Sequence, residues 1–428
     1  MDDHPVRITV DDDLRRSRLT VFFRLLLAIP HFFWLALWTF AVIIIGFIGW
    51  VIALVRGRLP DGLHDFLAMY VRYTTHLGAY LALTANPYPG FTGSPGYPVD
   101  VQIPPPQTQS RKTIAIRLLL ALPTLILATT LGSGVGGGAA ASREESSSQF
   151  ATSSGIGGVA AVCAFLGWFA SLARGRMPNG LRDLGAYGIG YTAQAYAYTL
   201  LLTDRYPNAD PNELGPAWSL PPHPVHLELD DDGRRSRLTV LFRILLALPH
   251  FVWLALWSIA AILAAIANWF VALARGRSAG PLHRFLAAYI RYTVHVTAFL
   301  FLIANPFPAF DGSPGYPVDV AIAPAERQNR WFTFFRTFLA VPAFLIAGAL
   351  GGALFVAGFL GWFAALVTGR MPSGLRNLGA MAIRYHAQTD VYFFVLNDRY
   401  PYSSPALRPP PEPAPEWGPE PEPLEAAI

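Results

Sequence analysis

The sequence predicts a mainly α-helical, polytopic membrane protein of four repeated units, each with a short β-strand leading into a helical hairpin and a further amphipathic or spanning helix. Three observations lead there. Hydrophobic residues make up 53% of the 428-residue chain and charged residues 14%, against about 25% charged in a typical soluble protein. Several apolar runs reach the roughly 18 residues needed to cross a ~30 Å hydrocarbon core. The same succession of motifs also returns along the chain, as it does in tandem-repeat architectures.

The repeat sets the domain organisation. His4-Pro5-Val6 returns as His223-Pro224-Val225, an offset of 219 residues, and the same offset carries Gly93–Asp100 onto Gly312–Asp319 almost letter for letter. Each half divides again: Arg24 and Pro30 match Arg117 and Pro123, then Arg336 and Pro342. Gly49-Trp50 matches Gly167-Trp168 and Gly361-Trp362. Unit A is therefore 1–96, unit B 97–219 with a Gly/Ser-rich insertion at 132–158, unit A′ (a duplicate of A) 220–315 and unit B′ 316–400. The remainder, 401–428, is rich in Pro and Glu and reads as a disordered tail.

Every unit opens with alternating apolar residues, at Val6–Val10, Val99–Ile103, Val225–Leu229 and Val318–Ile322. That period marks half-buried strands, and four of them on one side could pair into a small sheet, because lone strands leave backbone groups unpaired. A basic cluster follows (Arg15, Arg16 and Arg18 in unit A), then the apolar run Leu19–Val55. As one helix this run would be ~55 Å long, too long for one ordinary span. In unit B the matching run is interrupted by a segment carrying Arg143, Glu144 and Glu145, charges that cannot lie in hydrocarbon. Insertions settle at existing surface turns, and unit B′ keeps Gly348, Gly351 and Gly352 near the same point. The favoured reading is a hairpin, roughly Leu19–Ala36, a turn, then Val42–Val55. The rival makes Arg15–Ala28 an interfacial helix, broken at Pro30, with one span from Phe32 to Val55. A third segment, Leu63–Ala85, carries Asp65, Arg72 and His76 on one helical face. Both versions lead to two crossings per unit, about eight in all.

The basic residues are almost all arginine, Lys112 being the only lysine, and they cluster at the ends of apolar segments. That placement fits topology-setting charges at lipid headgroups rather than nucleic-acid binding. In the hairpin reading it puts the termini on the cytoplasmic side of a multi-pass cell-membrane protein. The acidic Met1-Asp2-Asp3-His4 start is unlike a cleavable signal peptide. The lone Cys163 sits in an apolar run and reads as a buried small residue.

Ionisable groups inside a membrane are functional candidates. Here they are Arg24, His31, Arg72 and His76, with repeat mates Arg243, His250, Arg291 and His295. Such a set suits an anionic headgroup or a proton path, but Arg24 can also snorkel and His31 can satisfy a carbonyl freed by Pro30. Unit B has Thr124 and Gln194 where unit A has His31 and His76, and Asp65, the evident partner for Arg72, becomes Arg284 in unit A′. The turn Arg-Gly-Arg-x-Pro-x-Gly-Leu supplies a second set that suits headgroup phosphates: Arg56, Arg58, Arg174, Arg176, Arg275, Arg277 and Arg370. No HExxH, paired-carboxylate or cysteine–histidine spacing occurs, so no catalytic, cofactor or metal residue is assigned, and Gly134–Gly138 reads as a flexible loop.

The motifs Arg24–His31, Gly49–Arg58, Tyr70–Tyr73 and Tyr97–Asp100, taken together, resemble a bacterial, largely actinobacterial, membrane family catalogued as domain of unknown function 4389. The resemblance covers nearly all of the chain except the insertion and the tail, and implies a membrane protein with no catalytic residues to carry over. The expected function is a non-enzymatic envelope scaffold or lipid-organising protein, with membrane lipid and envelope proteins as partners. The alternatives are a duplicated-repeat transporter or channel with a His/Arg-lined path and an intramembrane lipid-acting enzyme.

Overall fold

A computed structural model describes residues 4–132, 158–216 and 218–407. Unit A contains β1 (Arg7–Val10), α1 (Arg18–Leu27), α2 (Ile29–Arg56) and α3 (Asp61–Leu81). Unit B contains β2 (Val99–Gln102), α4 (Arg111–Ala115), α5 (Arg117–Leu131), α6 (Val159–Arg174), α7 (Asn179–Thr199) and the single turn α8 (Pro211–Leu214). Unit A′ contains β3 (Val225–Leu229), α9 (Arg237–Leu241), α10 (Arg243–Arg275) and α11 (Gly280–Leu300). Unit B′ contains β4 (Val318–Ile322), α12 (Arg330–Phe334), α13 (Arg336–Thr368) and α14 (Ser373–Phe393). The predicted strands, basic starts and third helices are all present.

The predicted hairpin is not. The apolar run of unit A is broken only at Ala28, and α2 then continues through the expected turn as a 28-residue helix. Nothing between Ala36 and Val42 breaks a helix, since the segment holds neither Gly nor Pro, and Trp38 and Val42 are drawn into the core. In unit B′, Gly348, Gly351 and Gly352 lie inside the 33-residue helix α13; Gly351 faces the ring of His386, where a small residue lets two helices approach. Among the described residues three helical segments are long and apolar enough to cross a membrane, Arg18–Arg56 (α1 and α2 together), Arg243–Arg275 and Arg336–Thr368, against the expected eight or so.

The insertion of unit B therefore interrupts a helix rather than extending a turn. A Cβ placed on Gly158 would strike the carbonyl of Gly132, so α5 and α6 end against each other, and both pack along α13. Each long helix ends on a left-handed glycine, Gly57, Gly175, Gly276 or Gly369, with φ between 67° and 79°, the C-terminal geometry that glycine adopts without strain.

The strands form two separate antiparallel pairs, β1 with β2 and β3 with β4, not one four-stranded sheet. Arg7 lies opposite Gln102 and Val225 opposite Ile322, so each pair joins the two units of one half. The same units are locked head to tail. The Arg16 amide donates to the Gly175 carbonyl (2.9 Å) and the Gln109 amide to that of Gly57 (2.8 Å), with Arg235–Gly369 and Gln328–Gly276 as the counterparts, both 2.8 Å. The repeated tryptophans donate across these joints: Trp50 Nε1 to the Ile114 carbonyl (2.8 Å), Trp168 to Val21 (3.1 Å), Trp269 to Thr333 (2.8 Å) and Trp362 to Val240 (3.0 Å).

The main core runs through units B and B′, around α5, α6, α7, α13 and α14, and a second core lies between α2 and α3. Apolar side chains dominate the outer surface of the long helices; Phe33, Leu37, Phe40, Ile43 and Phe47 are all exposed. The tail is shorter than predicted. Ser403, Ser404 and Ala406 are buried, because 401–407 lies against the start of α7, where a Cβ on Gly180 would meet Ser403. Residues from 408 onward and most of the insertion, including Gly134–Gly138, lie outside the described residues.

Candidate functional site

The candidate residues fall into four constellations, each repeated with the fold. The first contains the buried arginines near the start of every long helix. Arg24 Nη1 donates to the carbonyls of Tyr80 (2.6 Å) and Ala85 (3.2 Å), and its guanidinium lies 4.3 Å from the Tyr80 ring centroid. Arg117, Arg243 and Arg336 repeat this on Tyr198, Phe299 and Tyr392, 4.1–4.4 Å from each ring. The carbonyls belong to the last turn of the third helix and the loop after it, groups that a helix leaves without partners. A cation there also meets the negative end of the helix dipole. The chain turns at this loop through left-handed Leu83, Leu201, Leu302 and Val395. Arg117 and Arg336 additionally hold Asp204 and Asp398, both at 2.7 Å, whereas Arg24 and Arg243 meet Asn86 and Asn305.

The second constellation is confined to units A and A′. His31 Nδ1 pairs with Tyr73 Oη at 2.9 Å, and its ring stacks on Phe91 with centroids 4.3 Å apart. His250 repeats this with Tyr292 at 2.6 Å and Phe310 at 4.5 Å. Tyr80 and Tyr88 bridge Arg24 to His31 by ring contacts, but unit A′ has Phe299 and Phe307 there. The duplication has kept the ring packing and not the hydroxyl groups, which a proton path in both halves would require. Beside Phe91 an open apolar groove of about 340 Å³ is lined by Trp34, Trp38, Phe66 and Met69 among others.

The third constellation has a member that the helical-wheel reading missed. Asp100 Oδ1 accepts from His76 Nε2 and from the Val101 amide, both at 2.8 Å, and lies 3.5 Å from Arg72 Nε. Its Oδ2 accepts from the Gly96 amide at 2.9 Å. Asp319 repeats the set with His295 (3.0 Å), Val320 (2.7 Å), Arg291 (3.3 Å) and Gly315 (2.8 Å). Burial of Asp100 works against its ionisation, but the hydrogen bonds from His76 and the two amides outweigh it and hold the carboxyl below its usual range. Asp319 is lowered in the same way. The clamp ties the third helix of an A unit to the strand that opens the following B unit. The signal for it was present in the repeat, since Asp100 and Asp319 share the 219-residue offset. The favoured partner was Asp65, whose neighbour is instead His64 at 3.6 Å.

The fourth constellation is the basic turns. Arg56, Arg58, Arg174, Arg176, Arg275, Arg277 and Arg370 are all exposed. The head-to-tail joints bring the basic start of the partner unit to each turn. Arg15 lies across an antiparallel bridge from Arg176, Arg234 from Arg370 and Arg277 from Arg327. Arg18, Arg237 and Arg330 donate to carbonyls in the last turns of the partner long helices, at Ala173 (3.1 Å), Val367 (2.8 Å) and Ala274 (2.9 Å). These starting arginines were recognised in the sequence but not their junction with the turns, because that is a contact between units.

The structure thus brings Arg72 and His76 together, and places Arg24 and His31 in separate sites joined by aromatic rings. Among the described residues no group of three or more His, Cys, Asp and Glu is arranged to hold a metal ion.

The family model described as a domain of unknown function (DUF4389) matches four segments, 18–92, 150–209, 237–310 and 330–404. There is one segment per unit, and together they cover more than half of the chain. Neither a curated protein nor a solved structure matches it.

Proposed function

The chain belongs to the family described as a domain of unknown function (DUF4389), and on that basis we propose that it is a membrane-embedded, non-enzymatic scaffold whose long helices lie along the bilayer and organise lipid. One observation carries this reading. Between their ends the long helices carry no charged residue; the arginines near their starts, Arg24, Arg117, Arg243 and Arg336, are buried, and the outer face is apolar. In water such a face is an aggregation liability far larger than the patches that soluble proteins expose.

Three features favour helices lying along the membrane over helices standing across it. A 33-residue helix is about 50 Å long, against a hydrocarbon core of ~30 Å, so an upright orientation leaves much of its apolar face in water. The insertion of unit B also leaves its helix at the midpoint and carries Arg143, Glu144 and Glu145. In an upright helix these charges would enter at the centre of the bilayer, where they are costly. Arginines at both ends of every long helix also fit one membrane face better than two. The buried polar groups support a structural role, since the capping arginines and the Asp100 and Asp319 clamps are occupied by the fold itself.

The test is single-cysteine labelling in a Cys163→Ser background, with a membrane-impermeant maleimide added to vesicles of either orientation. Arg18→Cys, Arg58→Cys, Ser147→Cys and Arg176→Cys should label from one side, while Phe47→Cys and Ile262→Cys stay protected. Labelling of Phe47→Cys as fast as Arg176→Cys would remove the membrane reading. Labelling of Arg18→Cys and Arg58→Cys from opposite faces would make the helices true spans and units A and B inverted repeats. The transporter alternative would then move ahead.

A further inference from the structure

Like charges directly opposite each other on antiparallel strands are destabilising, yet the fold builds this arrangement three times. Arg15 faces Arg176, Arg234 faces Arg370 and Arg277 faces Arg327. In the first pair the Arg16 amide donates to Gly175 (2.9 Å) and the Met177 amide to Leu14 (2.9 Å). In the second the Arg235 amide donates to Gly369 and the Met371 amide to Gly233, both 2.8 Å. This is the non-hydrogen-bonded register, in which opposed side chains stand closest and on the same face. Among the described residues the Arg234 guanidinium lies 3.7 Å from the exposed Asp232 carboxylate and no other guanidinium of these pairs has an ion pair within 4 Å, the Asp13 carboxylate being turned to the Arg15 backbone amide (2.9 Å). Four residues after Arg15, Arg234 and Arg327, in the short helix that leads into a long one, stands a strongly exposed apolar side chain: Leu19, Leu238 or Trp331.

We propose that each opposed arginine pair is a binding site for the phosphate of an anionic phospholipid, formed jointly by the turn of one unit and the start of its partner, with the acyl chains along the adjoining long helix. Two guanidiniums on one face match the oxygens of a phosphodiester. The bound anion removes the repulsion that the strand register imposes. The lipid assignment rests on the membrane reading above, because the apolar surface beside each pair is what selects a lipid over a free anion. The fourth joint supplies an internal control. Thr108 stands where Arg327 stands in the other half, the two being 219 residues apart, so the Arg58 turn lacks the opposed pair.

The experiment uses the full chain reconstituted in nanodiscs of mixed phosphatidylglycerol and phosphatidylcholine, then released and read by native mass spectrometry for retained lipid. The wild type should retain phosphatidylglycerol in preference. Arg176→Gln, Arg370→Gln and Arg327→Gln together should lower that preference about tenfold or more, as expected for lost charge-assisted bonds. Thr108→Arg should raise it, a gain that misfolding cannot produce. Equal retention of both lipids by the wild type, or an unchanged preference in the triple variant, would overturn the proposal. Thermal stabilisation of the delipidated protein by inorganic phosphate as strong as that by phosphatidylglycerol would overturn the lipid assignment. Retention of each variant in carbonate-washed membranes reports on the embedding reading separately.

Discussion

At positions 268 and 278 unit A′ departs from the other units, and the two departures are coupled. Gly49, Gly167 and Gly361 make room for Leu59, Met177 and Met371 from the basic turn, and a Cβ on any of these glycines would strike that side chain. Unit A′ has Asn268 and Ser278 instead, hydrogen-bonded at 2.6 Å, with the Asn268 amide donating to the Phe394 carbonyl at 3.0 Å. Unit A′ has Ser278-Ala279-Gly280-Pro281 where the turn motif has x-Pro-x-Gly, and Ser278 is thus a polar substitute for an apolar contact. Asp100 and Asp319 illustrate the opposite case, in which the residues were visible but their partners were not. Because their carboxyls are held below the ordinary range, they contribute stability that is complete above about pH 4, the unfolded-state value, and is lost as pH falls through the lower folded-state value. Asp100→Asn with Asp319→Asn should therefore lower Tm at pH 7, by the equivalent of about 2 kcal/mol per clamp, with the gap to wild type narrowing as pH falls below about 4. Thermal unfolding in detergent across that pH range measures it. A gap of constant size would mean that the clamps act by packing and not by charge.

At the scale of elements, the apolar run and its boundaries were legible but its path was not. Periodicity and arginine spacing mark the apolar run Leu19–Val55 as a whole, whereas whether such a run breaks at Ala28 or folds back depends on what its inner face packs against. By charge and composition alone the insertion in unit B marks a turn. It falls instead where unit B′ has the pair Gly351-Gly352, a point of low helix propensity at which a helix is easily parted. Removing 133–157 and joining Gly132 to Gly158 would give a helix of the same 33 residues as α13. The shortened protein is expected to fold with one continuous helix there, with Tm within a few degrees of the full chain and higher fractional helicity by circular dichroism. A loss of folding would show that α5 and α6 are not two parts of one helix.

At the scale of the whole molecule, the two halves exchange their exit segments. The stretch after α7 lies against the start of α14, where a Cβ on Gly374 would meet Asn208, and 401–407 lies against the start of α7 at Gly180. Arg384 reaches the Ser404 carbonyl, and the Tyr402 amide donates to Gln388 Oε1 at 3.1 Å. Composition made 401–407 part of a polar tail, because proline-rich sequence carries no periodic signal for a segment that packs in extended form. Ending the chain after Tyr400 should therefore destabilise the protein measurably, while ending it after Leu407 should not. The Tm values of the two truncations decide the point, and equal values would remove the exchanged segment from the fold.

What the sequence determined by itself is whatever depends on local pattern: the four units, their strands, the basic starts, the Arg-Gly-Arg turns and the apolar runs. These follow from periodicity, steric preference and the offset of the repeat, all of which can be read along one dimension. Only the tertiary structure decided that the long runs stay single helices, that the strands form two pairs, that Asp100 belongs to His76, and that arginines from different units stand opposite one another. Each of these is a contact between residues far apart in the chain. Its energy depends on which surfaces meet, and a linear pattern does not specify that.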